Sequence, residues 1–351
     1  MSLATPSDVM PDGRPTVAVV GIGAVTGYGW GRKLLREGLY MSRPAARRQD
    51  DAGGPANDDL WVAAVDDAGD PADGAGLAAR ATRFAAREAV GDAHDRGWRP
   101  GLLVALVHDV GLCPAPAGAK GPGAASTDAE VPGAIMEEFG FRGPVMAVGA
   151  GAATGPAAML TARWWIAAGL ADDVLVVTSD LSGRARAGTV ADPGEAAMAL
   201  MLSGRPDAAY ARVLGGGLTY GPGAGSRLRR ALTMAVADAR LQAADIAYLN
   251  ASGPSGPTDA EAAIADEMLT SMAGVFSVKS LVGDCGEAAG TVELAASLFG
   301  SDTGVIPAPP RAGKSHRLLL DGLTAAAEGP VAKTASGPSG HHGALVIAGD
   351  A

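Results

Sequence analysis

The sequence is poor in cysteine, in aromatic residues and in charge. Its 351 residues include 2 cysteines, aromatic residues make up 4% of the chain and charged residues 19%. Cys113 and Cys285 are too few for a disulfide framework or a cysteine-based metal site. Because hydrophobic residues still form 48% of the chain, we expect a folded protein whose core is built mainly from Ala, Val, Leu and Met.

Long apolar runs and an excess of basic residues are also missing. No run approaches the roughly 18 apolar residues that a membrane-spanning helix needs, and residues 1–14 are polar and do not resemble a secretory leader. We therefore expect a cytoplasmic protein with no membrane partner. The formal net charge is −10, and such a surface lacks the basic stripe that nucleic acid binding requires. No nucleic-acid partner is expected.

Runs of β-branched and apolar residues alternate with segments of helical periodicity along the chain. This alternation predicts an α/β protein with a sheet rich in parallel strands. The strand–helix order begins again after a Gly-rich turn near Ser203, which indicates two similar halves, residues 1–205 and 206–351. Strands are predicted at 16–20, 60–65, 102–107, 145–148, 174–178, 210–218, 246–250, 274–277 and 344–348, and helices at 30–39, 78–94, 132–139, 155–168, 226–239, 259–272 and 287–299.

Two short motifs suggest cofactor or metal chemistry, and neither has the required spacing. The glycines of Gly21-Ile22-Gly23 follow a predicted strand and are expected to form a tight turn. They do not begin a dinucleotide loop, because Thr26 stands where the third glycine must be. The adjacent His341 and His342 have no other Cys/His cluster beside them, so we expect a loop role for them. The sequence predicts no cofactor and no metal.

Residues 142–155 form the first of three longer segments that point to a family. The segment is similar, without a gap, to the β-ketoacyl synthase segment that leads into the nucleophile. The family places a cysteine on a strand-to-helix turn there, where the helix N-terminus lowers the pKa of the thiol. In this sequence Ala152 occupies that position. A methyl group cannot carry an acyl thioester.

The other two segments resemble the family's histidine-bearing loops, and both histidines are replaced. Residues 248–259 are similar to the family's Ala-His-Gly-Thr-Gly-Thr loop, and Ser252 stands at the histidine position, before the helix that Asp259 opens. Residues 277–290 are similar to the Lys-Ser…Gly-His…Gly-Ala-Ala-Gly stretch, in which Lys279 is retained and Asp284 replaces the second histidine. A serine hydroxyl does not titrate near neutrality as imidazole does, and an anion at 284 would oppose a developing carbanion.

The resemblance implies a thiolase fold with five αβαβα layers and two pseudo-symmetric halves. It also implies that the chain is not an enzyme by itself. The surrounding glycines and strands persist although the catalytic trio is lost, so the fold is expected to serve another purpose. The interpretation that we favour is a chain-length factor of a type II polyketide synthase, a degenerate synthase that pairs with an active ketosynthase and reaches acyl carrier protein through that partner.

Two other uses of the fold stay open. One is an acyl transferase or decarboxylase with different chemistry at Ser252, Lys279 and Asp284, although no base of suitable pKa accompanies Ser252. The other is a homodimer that binds acyl chains or acyl carrier protein. Cys285 lies beside the degenerate site, and we expect it to be a small buried hydrophobic residue rather than a nucleophile.

The segment before the nucleophile strand is expected to face the partner. In a paired thiolase-fold dimer this segment lies against the neighbour's pocket, and its bulk would set where a growing chain meets a wall. Its apolar residues fall at helical spacing, and any one of them can equally be a core residue. The predicted tunnel and partner-interface residues are Gly133, Ala134, Ile135, Met136 and Phe139.

Overall fold

Fifteen strands and nine helices are found in the described part of the chain, which in this computed structural model comprises residues 16–48, 61–66, 76–109, 131–206, 208–253, 258–269, 274–310 and 316–349. The strands are β1 Ala18–Thr26, β2 Gly29–Trp30, β3 Arg47–Arg48, β4 Trp61–Val62, β5 Val104–Asp109, β6 Val145–Val148, β7 Asp173–Asp180, β8 Ala196–Ser203, β9 Ala211–Tyr220, β10 Tyr248–Asn250, β11 Gly274–Phe276, β12 Val305–Ile306, β13 Thr324–Ala325, β14 Val331–Ser336 and β15 His341–Gly349. The helices are α1 Arg32–Tyr40, α2 Leu77–Asp95, α3 Val131–Phe139, α4 Thr154–Ala167, α5 Gly183–Arg186, α6 Ala224–Asp238, α7 Asp259–Glu267, α8 Lys279–Val282 and α9 Ala289–Thr303.

The two halves have the same strand order and the same strand directions. The first half is ordered β1-β8-β7-β5-β6 and the second β9-β15-β14-β10-β11. In each half the first two neighbouring pairs are antiparallel and the last two are parallel. A short antiparallel pairing of β1 with β9 joins the halves. This repeated topology confirms the predicted pseudo-symmetry of the fold; the boundary at residue 205 stays a prediction.

The helices complete five layers around the two sheets. α2 and α3 cover the outer face of the first sheet, and α6 and α7 cover the outer face of the second. α4 and α9 lie between the sheets and contact strands of both. Three large apolar clusters fill the spaces between these layers. The largest cluster contains most of the buried side chains of α9. This helix begins at the end of the third family segment, residues 277–290, and lies at the centre of the molecule.

The Gly21-Ile22-Gly23 segment is not the turn that the sequence predicted. It lies in the middle of β1, because α2 packs unusually close to this strand. A Cβ atom on Gly21 would lie 2.1 Å from the Ala89 carbonyl oxygen, and one on Gly23 would lie 1.9 Å from that of Ala85. The glycines therefore allow close helix–strand packing rather than a change of chain direction.

The sheets are mixed, whereas the sequence predicted mainly parallel strands. The strand that runs antiparallel to both its neighbours is β8 in the first half and β15 in the second. Two strands, β8 and β14, were not predicted. All eight residues of β8 are buried, but its sequence is made of Ala, Met, Leu and Ser, which have little β-branching to identify a strand. β14 is short, and Lys333 interrupts the apolar run that would otherwise identify it as a buried strand. Both strands run antiparallel to their neighbours β1 and β15.

Cys113 and the loop predicted at residues 113–127 lie outside the described residues. Across the described segments, no helix combines the length and the apolar character needed to span a membrane.

Candidate functional site

The turn at Ala152 has the strand-to-helix geometry that the sequence predicted. β6 ends at Val148, residues Gly151–Ala153 form a 3-10 turn, and α4 begins at Thr154. The Thr154 hydroxyl accepts the Ala150 N–H at 2.8 Å and donates to the Glu287 carboxylate, which also accepts the Gly151 N–H at 3.2 Å. Glu287 lies in the second half of the chain, so both halves hold the turn. Ala152 itself is half-buried and offers only a methyl group.

Two glycines of the second half press against this turn. A Cβ atom on Gly290 would lie 2.5 Å from the Ala152 carbonyl oxygen, and one on Gly337 would lie 2.8 Å from that of Ala150. The start of α9 and the β14–β15 turn therefore meet the Ala152 turn directly. These contacts bring the first and third family segments together, as the resemblance implied.

The loop that carries Ser252 is fixed by a buried glutamate. Thr258 caps α7, and Glu261 at the third helical position accepts the Thr258 N–H at 2.9 Å in a capping box. The same carboxylate accepts the Ser252 N–H at 2.8 Å and the Thr334 hydroxyl at 2.5 Å. Ser252 is 6% exposed, and its hydroxyl donates to the Thr334 carbonyl at 2.6 Å. α7 begins at Asp259 as predicted.

Lys279 pairs with the aspartate that replaces the second histidine. Its Nζ atom lies 3.7 Å from the Asp284 carboxylate and 3.5 Å from that of Glu293. Burial alone would lower the pKa of Lys279, but the attraction of Glu293 and Asp284 outweighs it, and the pKa lies above its ordinary value. The pairing of Lys279 with Asp284 was a prediction of the sequence.

These residues belong to a longer chain of ion pairs that connects the second and third family segments. Negative and positive side chains alternate along it, and it extends from the first half of the protein into the second. Successive distances are 3.7, 3.8, 3.7, 3.5 and 2.7 Å for the series Asp180, Arg186, Asp284, Lys279, Glu293 and Lys333. The chain ends beside Ser252, whose Oγ lies 3.4 Å from the Lys333 Nζ atom.

A buried carboxyl group lies at the end of β5, beside the end of β6. Asp109, at the end of β5, is 8% exposed and accepts the Ser179 N–H at 2.6 Å. Burial raises its pKa to about 7; the hydrogen bond lowers it somewhat, and the neighbouring Glu287 and Asp180 carboxylates raise it further. The nearest imidazole, that of His108, bonds the Asp109 backbone carbonyl at 2.6 Å rather than the carboxyl group.

A protein-family model matches part of the chain. The family model "Beta-ketoacyl synthase, C-terminal domain" matches residues 215–311, which include the Ser252 loop, Lys279, Asp284 and Glu293. No curated protein sequence matches the chain.

Solved structures match over nearly the whole chain. The ketosynthase from module 6 of the bacillaene synthase of Bacillus subtilis 168 superposes with a TM-score of 0.78 at 14% identity, covering 96% of this chain and 72% of that one. The oxazolomycin ketosynthase domain of Streptomyces albus JA3453 gives 0.75 at 18%, covering 96% and 74%. The ishigamide ketosynthase/chain length factor gives 0.76 at 21%, covering 96% of this chain and 100% of that one. The chain has a ketosynthase-like fold. At these identities the likeness establishes the fold, and the predicted thiolase fold is confirmed.

None of the three positions that the resemblance assigns to the catalytic trio carries the expected side chain. Ala152 has no functional atom, the Ser252 hydroxyl is committed to a carbonyl, and Asp284 is an anion held between Arg186 and Lys279. Cys285 is wholly buried, and burial raises the pKa of its thiol, which fits the predicted role of a small buried residue. Its sulfur is unsuited to nucleophilic attack.

The segment predicted to face a partner divides into buried and accessible residues. Ile135 is 1% exposed and packs in the core of the first half, which is the alternative that the sequence had left open for it. Met136 and Phe139 are partly buried against the same core. Gly133 is exposed, Ala134 is half-buried, and a Cβ atom on Gly133 would meet nothing within 4 Å. The interface role of Gly133, Ala134, Met136 and Phe139 stays a prediction.

The two neighbouring histidines bond different side chains. His341 and His342 begin β15 rather than lying in a loop as predicted, and each ring bonds a different serine, at 3.0 Å for Ser339 and 2.8 Å for Ser336. In the described ranges, no group of three or more His, Cys, Asp or Glu side chains is arranged to hold a metal ion.

Sequence reasoning missed Arg186, Glu293 and Lys333. The last two carry a recognisable signal, because each is a single charge inside an apolar run, Thr-Val-Glu-Leu-Ala and Val-Ala-Lys-Thr-Ala. Charged residues are almost never fully buried unless they are paired. Two isolated opposite charges in apolar elements therefore indicate a buried pair. No comparable signal marks Arg186, which follows a polar loop.

Proposed function

We propose that the chain is the non-catalytic chain-length-factor subunit of a heterodimer with an active ketosynthase. In this proposal it helps to form the tunnel that accepts the growing chain in polyketide biosynthesis and limits the length of that chain. Acyl carrier protein is reached through the active subunit. The cytoplasmic location expected from the sequence is part of the proposal.

The observation that carries this proposal is the contrast between retained geometry and lost chemistry. The turn that positions a nucleophile is intact and is held by Glu287, yet Ala152 supplies a methyl group. Both positions that the resemblance assigns to histidine lie in a bonded network of serine and ion pairs. Acyl transfer needs a nucleophile, and decarboxylation needs a group that stabilises the developing carbanion. The structural match to the ishigamide protein, which is named a ketosynthase/chain length factor, covers the full length of that protein's chain.

An uncovered edge strand supports the proposal that a partner subunit binds. β6 lies at the end of the first half's sheet, and among the described strands it pairs only with β5. Val145 is 49% exposed and Met146 is 43% exposed. Neighbouring residues of a strand point to opposite faces, so both faces of this edge are bare and apolar. Such an edge invites pairing with another chain. Leu103, directly before β5, and Trp164, in α4, are exposed as well.

Co-expression with an intact ketosynthase tests the proposal. We expect a 1:1 complex by gel filtration, and we expect Met146→Asp to abolish it because a charge would be buried at the strand edge. Met234→Asp is the matched control, since Met234 is 42% exposed on α6, on the outer face of the second half. Loss of the complex in both variants, or in neither, would contradict the proposed interface.

The same experiment separates the two other uses of the fold. A stable homodimer that ignores the ketosynthase would favour the acyl-binding protein. Turnover of malonyl- or acyl-carrier protein by the purified chain alone would favour an enzyme that uses Ser252, Lys279 and Asp284. The hydrogen bond of the Ser252 hydroxyl to Thr334 and its 6% exposure weigh against that enzyme.

A further inference from the structure

Lys333 places a wholly buried ammonium in the centre of the second half. The residue is 0% exposed, in the middle of β14. Its Nζ atom donates to the Thr334 carbonyl, lies 2.7 Å from the Glu293 carboxylate and lies 3.4 Å from the Ser252 hydroxyl. A buried ammonium is tolerated only where oxygen atoms surround it and one of them carries a negative charge. These three oxygens form such a cage.

The cage lies beside the position where the resemblance expects the first imidazole. The Ser252 hydroxyl and the Lys333 ammonium both donate to the Thr334 carbonyl, so the oxygen atoms next to Ser252 are already occupied. The Lys333 Nζ atom lies 2.7 Å from the Glu293 carboxylate, and an ammonium group donates hydrogen bonds and accepts none. The space beside Ser252 is therefore filled by the chain itself.

We propose that the Lys333 ammonium occupies and closes the site where the resemblance expects the first imidazole. The negative charge of Asp284 balances this ammonium, and the two residues are linked through Lys279 and Glu293. The inference deepens the proposed non-catalytic function, because it explains why the site is shut as well as lacking a nucleophile. Between Asp284 and Lys333 the ion-pair chain holds two carboxylates and two ammonium groups. With a neutral side chain at 284, one buried ammonium would lack a partner of its own.

Unfolding of four purified chains tests the charge matching: the original chain, Lys333→Met, Asp284→Asn and the double variant. Each single variant strands one charge, and we expect its Tm to fall by about 5–10 °C. The double variant leaves Lys279 paired with Glu293, and its Tm should recover at least half of the summed losses. Additive losses would overturn the proposal, because residues that do not share a network behave independently. Insoluble singles with a soluble double variant would support it, and a double variant no more soluble than the singles would count against it.

The matched control replaces an exposed aspartate outside the network. Asp266 lies on α7, its side chain is 46% exposed, and it pairs with Arg317 at 2.8 Å. Asp266→Asn combined with Lys333→Met should show additive losses. If Asp266→Asn offset the loss caused by Lys333→Met as strongly as Asp284→Asn does, the removal of any carboxylate would compensate for Lys333. That result would contradict a specific link between Asp284 and Lys333.

Chemical rescue tests the cage separately. Lys333→Ala leaves a hole lined by the Glu293, Thr334 and Ser252 oxygens, which a methylammonium ion fits and a tetramethylammonium ion does not. When Lys333→Ala is refolded with methylammonium chloride, its Tm should be several degrees higher than when it is refolded with tetramethylammonium chloride at the same concentration. The original chain and Lys33→Ala, at a lysine that is 86% exposed, should respond equally to both salts. An equal response of Lys333→Ala to both salts would overturn the cage. Because all these measurements use the isolated chain, their failure leaves the heterodimer test unaffected.

Discussion

Replacing Lys279 with methionine removes one charge from the middle of the ion-pair chain and keeps an unbranched side chain of similar length. Lys279 is 7% exposed, and its ammonium lies 3.5 Å from Glu293 and 3.7 Å from Asp284. The raised pKa, in which the attraction of these carboxylates outweighs the effect of burial, means that the folded chain holds the charged form at neutral pH. The variant therefore leaves two carboxylates with one partner fewer.

The size of the loss follows from the burial of those two carboxylates. Removing one partner of a buried pair costs about 3–5 kcal/mol. The Glu293 side chain is 2% exposed and keeps Lys333, whereas the Asp284 side chain is 29% exposed and keeps Arg186. Water screens part of the loss at Asp284, so we expect about 3 kcal/mol, a large share of the roughly 5–15 kcal/mol that stabilises a typical folded protein.

Urea unfolding of the purified chain measures this loss. The midpoint should fall at an unchanged m-value, and Lys33→Met should change the free energy of unfolding by no more than about 0.5 kcal/mol, because Lys33 is 86% exposed. Product formation by the reconstituted heterodimer should fall only as far as the amount of folded subunit falls. An unchanged midpoint together with collapsed turnover would refute a structural role for Lys279.

Three further predictions concern the turn, the buried carboxyl group and the partner-facing segment. Ala152→Cys should be alkylated by iodoacetamide yet should show no condensation by the chain alone, because neither Ser252 nor Asp284 provides an imidazole; condensation at the rate of an intact synthase would contradict this. The pKa of Asp109 is raised from 3.8 to about 7, so the folded state retains a proton that the unfolded state loses, and stability falls as the pH rises from about 4 to about 7. Asp109→Asn should therefore exceed the original chain in stability by about 1–4 kcal/mol at pH 8 and match it at pH 4, which urea midpoints at the two pH values would check; equal midpoints at pH 8 would contradict it. Enlarging Gly133 to leucine should shorten the polyketide made by the heterodimer, and Met136→Ala should lengthen it, as read from product masses; unchanged lengths with the complex assembled would remove this segment from the tunnel wall.

Much of the architecture followed from periodicity alone. The long amphipathic pattern at 78–94 corresponds to α2, Leu77–Asp95, and the short apolar run at 145–148 corresponds to β6. Gly21 and Gly23 were misinterpreted because a glycine that admits a neighbouring helix backbone has the same sequence signal as one that permits a turn. The closeness of Ala85 and Ala89 depends on tertiary packing, which no local pattern records.

The site could be predicted only as far as local segments determine it. The resemblance placed Ala152, Ser252, Lys279 and Asp284 at one site, and the spacing of Lys279 and Asp284 predicted their pairing. Lys333 was missed because it is more than 50 residues from Lys279 along the sequence, and it meets Glu293 only when β14 lies beside α9. Helical spacing alone does not say which neighbour covers an apolar face, so the sequence left open whether Ile135 lies in the core or at a partner interface.

Condensation by the reconstituted heterodimer tests the central claim most directly. The measurement compares malonyl-carrier-protein consumption and product formation by this chain alone, by an intact ketosynthase alone and by the two together, with a cysteine-to-alanine variant of the ketosynthase as a further arm. The account predicts product only from the pair, its loss when the ketosynthase cysteine is replaced, and no turnover by this chain alone. Product from this chain alone, or product from the pair after the ketosynthase cysteine is lost, would contradict it.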